Sequence, residues 1–153
     1  MKLLTIFVLI ITFSKNYSQT NNIKYVHFHS SNSSVIDSGI DISIYHLEDN
    51  SVDVYVETFN SKKKYKTTSE KFLELSSAII KINPKDVIHD EKNCLDGNDT
   101  EINFASRYTL PENIVKYSIS CLGSEDKNTA WKDYLIAVNL ILDIAKLELK
   151  DLK

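Results

Sequence analysis

Ile40-Asp41-Ile42-Ser43-Ile44-Tyr45, then Glu48-Asp49-Asn50-Ser51, then Val52-Asp53-Val54-Tyr55-Val56-Glu57 is the stretch that decides the fold of this 153-residue chain. Both flanks alternate with a period of two, the pattern of half-buried strands. Ile40, Ile42, Ile44, Val52, Val54 and Val56 take one face. Asp41, Ser43, Tyr45, Asp53, Tyr55 and Glu57 take the other. The quartet between them consists of residues that favour turns. An antiparallel hairpin follows, with one face on a core and one in water.

Working outward, Ile23 to His29 is a candidate for an additional N-terminal strand, with Lys24, Val26 and Phe28 opposite Tyr25, His27 and His29. Ser30 to Ser38 is polar and reads as a loop. After the hairpin, Ser61 to Lys66 reads as a basic loop. Thr67 and Glu70 match a capping box that opens a helix through Ile82. Phe72, Leu75, Ile79 and Ile82 share one face of that helix, and Pro84 lies just past its end.

The order then repeats. Asp96-Gly97-Asn98-Asp99 is a turn, Thr100 to Ser106 is a strand with Ile102 and Phe104 inward, and Pro111-Glu112-Asn113 connects onward. Ile114 to Leu122 is the next strand, with Val115, Tyr117, Ile119 and Cys121 on one face. Thr129 is placed to cap a long helix from Ala130 to about Leu149. Its polar stripe is Lys132, Asn139, Asp143, Lys146 and Lys150, and its apolar arc is broad enough to imply deep burial or a partner helix. The expected fold is therefore α+β: a two-layer sandwich in which two hairpins form an antiparallel sheet with two helices on one face, in the order β-ββ-α-ββ-α. Periodicity leaves the strand order open.

The N-terminus indicates an address. Met1 to Ser18 has Lys2, an apolar run from Leu3 to Phe13 and a polar end, as a signal peptide does, and the run is shorter than the roughly 20 residues of a membrane span. Cleavage after Ser18 would leave residues 19–153 as a single exported domain, periplasmic or secreted. No later apolar stretch is long enough to span a membrane. Cys94 and Cys121 are the only cysteines, and an even count in an exported chain reads as one disulfide.

Composition excludes several classes. With 18 Lys and Arg against 21 Asp and Glu, the net charge is -3, which gives no footprint for nucleic acid. Three Gly and two Pro supply neither a phosphate-binding loop nor a Pro-rich recognition tract. His27, His29, His46 and His89 lack a diagnostic metal-ligand spacing. The acidic stretch Asp90 to Glu101 fails the calcium-loop pattern, with Lys92 at its third position and Gly97 at its eighth. No nucleophile motif is present. The sequence thus assigns no catalytic residue, no metal ligand and no cofactor.

A positive candidate remains on the polar face of the first hairpin. Tyr45 and Tyr55 lie across from or diagonal to one another, with Asp53 and Glu57 beside them, as an aromatic pair rimmed with acid suited to contacting a protein. The last helix is a second candidate surface, through which two copies could pair. In layout, a leader followed by a small disulfide-bonded hairpin-helix domain, the chain resembles short exported bacterial proteins, among them periplasmic immunity proteins and enzyme inhibitors. That resemblance implies a non-catalytic protein that occludes a partner protein. A small-ligand or cell-envelope binding module and a hydrolase are the alternatives.

Overall fold

The computed structural model describes residues 23–32, 38–87, 98–107, 114–122 and 131–152. Six strands form one sheet: β1 (Tyr25–Asn32), β2 (Ile40–His46), β3 (Val52–Thr58), β4 (Ser61–Thr67), β5 (Asn98–Ala105) and β6 (Val115–Leu122). Helices α1 (Ser69–Lys81) and α3 (Lys132–Ile144) cover one face, joined by a short α2 (Pro84–Val87) and a closing 3-10 turn, Leu149–Leu152. The expected leader, Met1 to Ser18, together with His89, Cys94, the 111–113 connection and Thr129, lies outside the described residues, as does the side chain of Cys121. No helix among the described residues is long and apolar enough to cross a membrane.

The sheet order is β4-β3-β2-β1-β5-β6, antiparallel throughout. The α+β sandwich is as the alternation implies, and the candidate N-terminal strand sits at its centre. Among the cross-strand rows of the buried face, two are built of hydrophobic residues. Val54, Ile44, Val26 and Phe104 form one, and Val56, Ile42, Phe28, Ile102 and Tyr117 the other. Phe72, Leu75 and Ile79 of α1 and Ala137, Val138 and Ile141 of α3 close over them. Tyr134 donates to Thr100 Oγ1 (3.1 Å), whose own hydroxyl donates to the Ile119 carbonyl (3.2 Å), so a buried chain of hydrogen bonds pins α3 to β5 and β6.

The turn after β2 forms as its residues require. Asn50 N–H donates to the Leu47 carbonyl (3.1 Å) and Leu47 N–H to the Ser51 carbonyl (2.9 Å), with Asn50 at φ 61°. A left-handed residue after a type I turn lets the strand continue, and Asn tolerates it better than most. Asp49 accepts from the Ser51 hydroxyl and N–H, and these two bonds hold its carboxyl below the usual range.

Several sequence expectations change. Ser30 to Asn32, read as the start of a loop, and Asn98 and Asp99, read as part of a turn, are paired strand residues of β1 and β5. Ser61 to Lys66 is not a loop but most of β4, paired residue for residue with β3 from Thr58↔Ser61 to Val52↔Thr67. The first half is consequently a four-stranded meander and the second a single hairpin, so one unit is not used twice. The cap of α1 is Thr68, not Thr67: Thr68 Oγ1 accepts from Lys71 N–H (3.4 Å), because Thr67 is spent closing the β3–β4 ladder. The last helix stops at Ile144, not near Leu149. Leu147 N–H reaches the Leu142 carbonyl (2.8 Å) and Lys146 N–H the Asp143 carbonyl (3.1 Å), with Lys146 at φ 54°. This Schellman ending carries Lys at the position glycine usually takes.

Candidate functional site

The sheet face away from the helices is assembled by the same registers that build the core, one residue out of phase. Its first row reads Lys66, Asp53, Tyr45, Tyr25 across β4, β3, β2 and β1. The second reads Lys64, Tyr55, Ser43, His27, Asn103, Lys116 across all six strands. The third reads Lys62, Glu57, Asp41, His29, Glu101, Ser118.

Tyr45 and Tyr55 are diagonal neighbours, since Tyr45 lies opposite Asp53 and Tyr55 opposite Ser43. Their ring centroids are 5.6 Å apart in an edge-to-face arrangement, which the quadrupole of each ring favours. No local pattern singles out Tyr25, yet β1 pairs with β2 so that Tyr25 meets Tyr45 directly, with centroids 4.9 Å apart. Burial raises the Tyr25 phenol above its ordinary pKa, and Tyr45 and Asp41 add to the shift against an opposing hydrogen bond with Ser43. Tyr55 is the most open of the three at 38%. Lys64 lies over its ring, 4.7 Å from the centroid, and 3.0 Å from Asp53 Oδ2. Tyr55 and Asp53 together push the Lys64 amine up.

The acids beside the tyrosines are engaged by neighbouring side chains. Glu57 is ion-paired with Lys62 on the neighbouring strand. Asp53 is only 8% exposed, engaged through Oδ2 by Lys64 and more distantly by the Tyr55 hydroxyl (3.5 Å), while its Oδ1 is buried without a hydrogen bond. Further along the face Glu101 pairs with Lys116 and accepts from Asn103 (2.6 Å). Burial opposes ionisation of Glu101, but Lys116, Asn103 and His29 outweigh it and its pKa is lowered. These surface acids are thus largely neutralised within the sheet, and each exposed pair contributes only about 0–1 kcal/mol.

Histidines enter the face as well. His27 Nε2 lies 3.1 Å and His29 Nδ1 2.9 Å from the same oxygen, Asp41 Oδ1. A carboxylate only accepts, so the facing nitrogen of each imidazole carries the proton. His46, on the same strand as Asp41, points to the opposite face: it stacks on Phe72 (centroids 5.1 Å apart, 8° between planes) under the helix layer. The set His27, His29, His46 therefore never converges. Among the described residues no group of three or more His, Cys, Asp or Glu is arranged to hold a metal ion.

At the β3–β4 turn, Gly39, Asp41, Glu57, Phe59 and Lys62 border a broad depression of about 580 Å³, beside which Phe59 is 66% exposed. On the helix layer, Ile136 is 43% exposed and Leu140 half-buried. Tyr134, Ala137, Val138, Ile141, Leu142 and Ile144 are all buried within the fold. The broad apolar arc of the last helix is mostly consumed by its own core.

No protein-family model matches the chain, and no curated protein matches it.

Proposed function

We propose that the protein is a small exported, non-catalytic binding protein whose open sheet face docks another protein, in the manner of an immunity or inhibitor-type protein that occludes its partner. The observation that carries this reading is the contiguous Tyr25, Tyr45 and Tyr55 array on the open sheet face, where Glu57 and Asp53 are ion-paired to Lys62 and Lys64. Tyrosines offer large contact area at low entropic cost and anchor many interfaces. Tyr45 and Tyr55 are the anchors, with Asp53 orienting Lys64 over Tyr55 and Glu57 holding Lys62. Export rests on the Met1 to Ser18 leader, and the Cys94–Cys121 disulfide is part of the same reading.

The test is capture of a partner from extracts of the producing strain and its competitors, using the protein and its Tyr45→Ala/Tyr55→Ala variant. Stoichiometric retention by the parent and its loss in the variant are expected. Equal retention by both would place the contact elsewhere.

The depression beside Phe59 favours a second reading, a small-ligand or envelope-binding module. Under it, an envelope fragment at about 100 times its Kd would stabilise the fold by about 2.7 kcal/mol in a thermal-shift screen. A screen without shifts would remove this alternative.

A further inference from the structure

Among the described residues, the sheet ends on one side in a strand with no further strand beside it. β4 pairs with β3 over seven consecutive residues without a bulge, and no described strand pairs with its other side. Ser61, Lys62, Lys63, Lys64 and Lys66 are all exposed. At the opposite edge, α2 packs against β6. In an edge strand every second residue directs its N–H and C=O outward, so β4 offers a row of backbone donors and acceptors with the spacing of a ladder.

The charge on this edge is one-sided. Lys62 and Lys64 are ion-paired to Glu57 and Asp53, but Lys63 and Lys66 have no ion pair among the described residues, nor has Lys146, which lies over the Tyr65 ring at 4.8 Å. The cations without an ion pair lie on both sides of the strand, because Lys66, whose charge also acts on Asp49, shares the open face while Lys63 and Tyr65 lie on the helix side.

We propose that the β4 edge receives an extended acidic segment of the partner, which adds to the sheet as a seventh strand. The inference rests on the protein-binding reading and names the chemistry of the partner. Strand addition supplies main-chain hydrogen bonds, and side chains at alternate positions supply selectivity. Here the neighbours of an incoming strand are Lys62, Lys64 and Lys66 on one face and Lys63 and Tyr65 on the other. Lys66 on the open face and Lys63 on the helix side lack an ion pair, so a row of Asp or Glu at alternate positions on either face of the incoming strand meets one of them. Lysines on an edge also deter pairing between copies of a chain. The two roles agree: the row that repels another β4 attracts a strand of opposite charge. Lys64 is shared with the Tyr55 site, so edge and aromatic face form one continuous surface.

The probe is a pair of synthetic peptides, one alternating Glu with Thr and the other Gln with Thr, read by fluorescence anisotropy and by amide hydrogen exchange. The Glu peptide should bind, should slow exchange at alternate β4 amides, and should be weakened about tenfold by Lys63→Glu with Lys66→Glu. The Gln peptide should bind more weakly. Three results would overturn the proposal: no binding of the Glu peptide, binding that leaves β4 exchange unaltered, or indifference to charge reversal. If the reversed variant self-associates while the parent binds no peptide, the lysines only guard the edge, and the proposal is also overturned. The peptide reports on the edge and the Tyr45 and Tyr55 variants on the open face, so failure of one is distinguishable from failure of the other.

Discussion

Lys146 and His46 each hold a conformation or charge state that their neighbours impose. Lys146 occupies a left-handed conformation that costs an L-residue roughly 1–2 kcal/mol, offset in part by its contact with Tyr65, about 0.5–1 kcal/mol. Lys146→Gly should therefore stabilise the fold by roughly 0.5 kcal/mol, whereas Lys146→Ala, which keeps the strain and loses the contact, should destabilise it by about the same amount. Urea denaturation of both variants checks the opposite signs. For His46, burial first and the Lys24 charge second lower its pKa below 6.5. The neutral ring accepts from Lys24 Nζ at Nδ1 (3.1 Å) and faces the Ser69 hydroxyl at Nε2 (3.4 Å), a hydroxyl whose own proton goes to the Asn50 carbonyl. Because the unfolded chain binds the proton more readily, this contribution is complete above about pH 6.5 and is lost as pH falls through the folded value. His46→Gln should flatten the fall of stability below pH 6.5, and unchanged slopes in pH-dependent melting would contradict that account.

At the scale of elements, legibility tracked how much of each element's pattern was local. β2, β3 and α1 carry their own periodicity, so Ile40 to Ile44, Val52 to Val56 and Phe72 to Ile79 could be placed from spacing alone. β4 could not, because Ser-Lys-Lys-Lys-Tyr-Lys-Thr has one apolar residue and lysine is depleted in strands. Its signals were the two-residue gap Phe59-Asn60 after a strand and the lysine density that marks a sheet edge. The end of α3 was hidden for a related reason: no glycine marks the left-handed position, and Leu147 and Leu149 prolong the helical spacing past the stop. The cap of α1 was displaced by one residue because Thr67 and Thr68 are equivalent in sequence and only the β3–β4 register distinguishes them. Thr68→Ala should cost about 1 kcal/mol, while Thr67→Ala should leave the cap intact. Equal losses in chemical denaturation of the two variants would reassign the cap.

Across the whole molecule, one set of cross-strand registers builds two opposite surfaces. The row Val54, Ile44, Val26 is buried on the helix side, with the partly buried Phe104 packed against the core beside it, and the adjacent positions Tyr55, Tyr45, Tyr25 look the other way. Tyr45 and Tyr55 were readable as a pair within one hairpin. Tyr25, His27 and His29 joined them only through the β1–β2 pairing, a long-range choice that no local pattern encodes. The same pairing brought Asp41 to the two histidines and sent His46 to the core. If a partner docks as proposed, it meets this open face and not the helix layer. The deciding measurement compares the partner affinity of Tyr45→Ala/Tyr55→Ala with that of Leu73→Ala/Ile136→Ala, two exposed apolar residues on the helices. Loss of about 2 kcal/mol or more, roughly a thirtyfold weakening, confined to the tyrosine variant is the predicted result. Loss confined to the helix variant would contradict it.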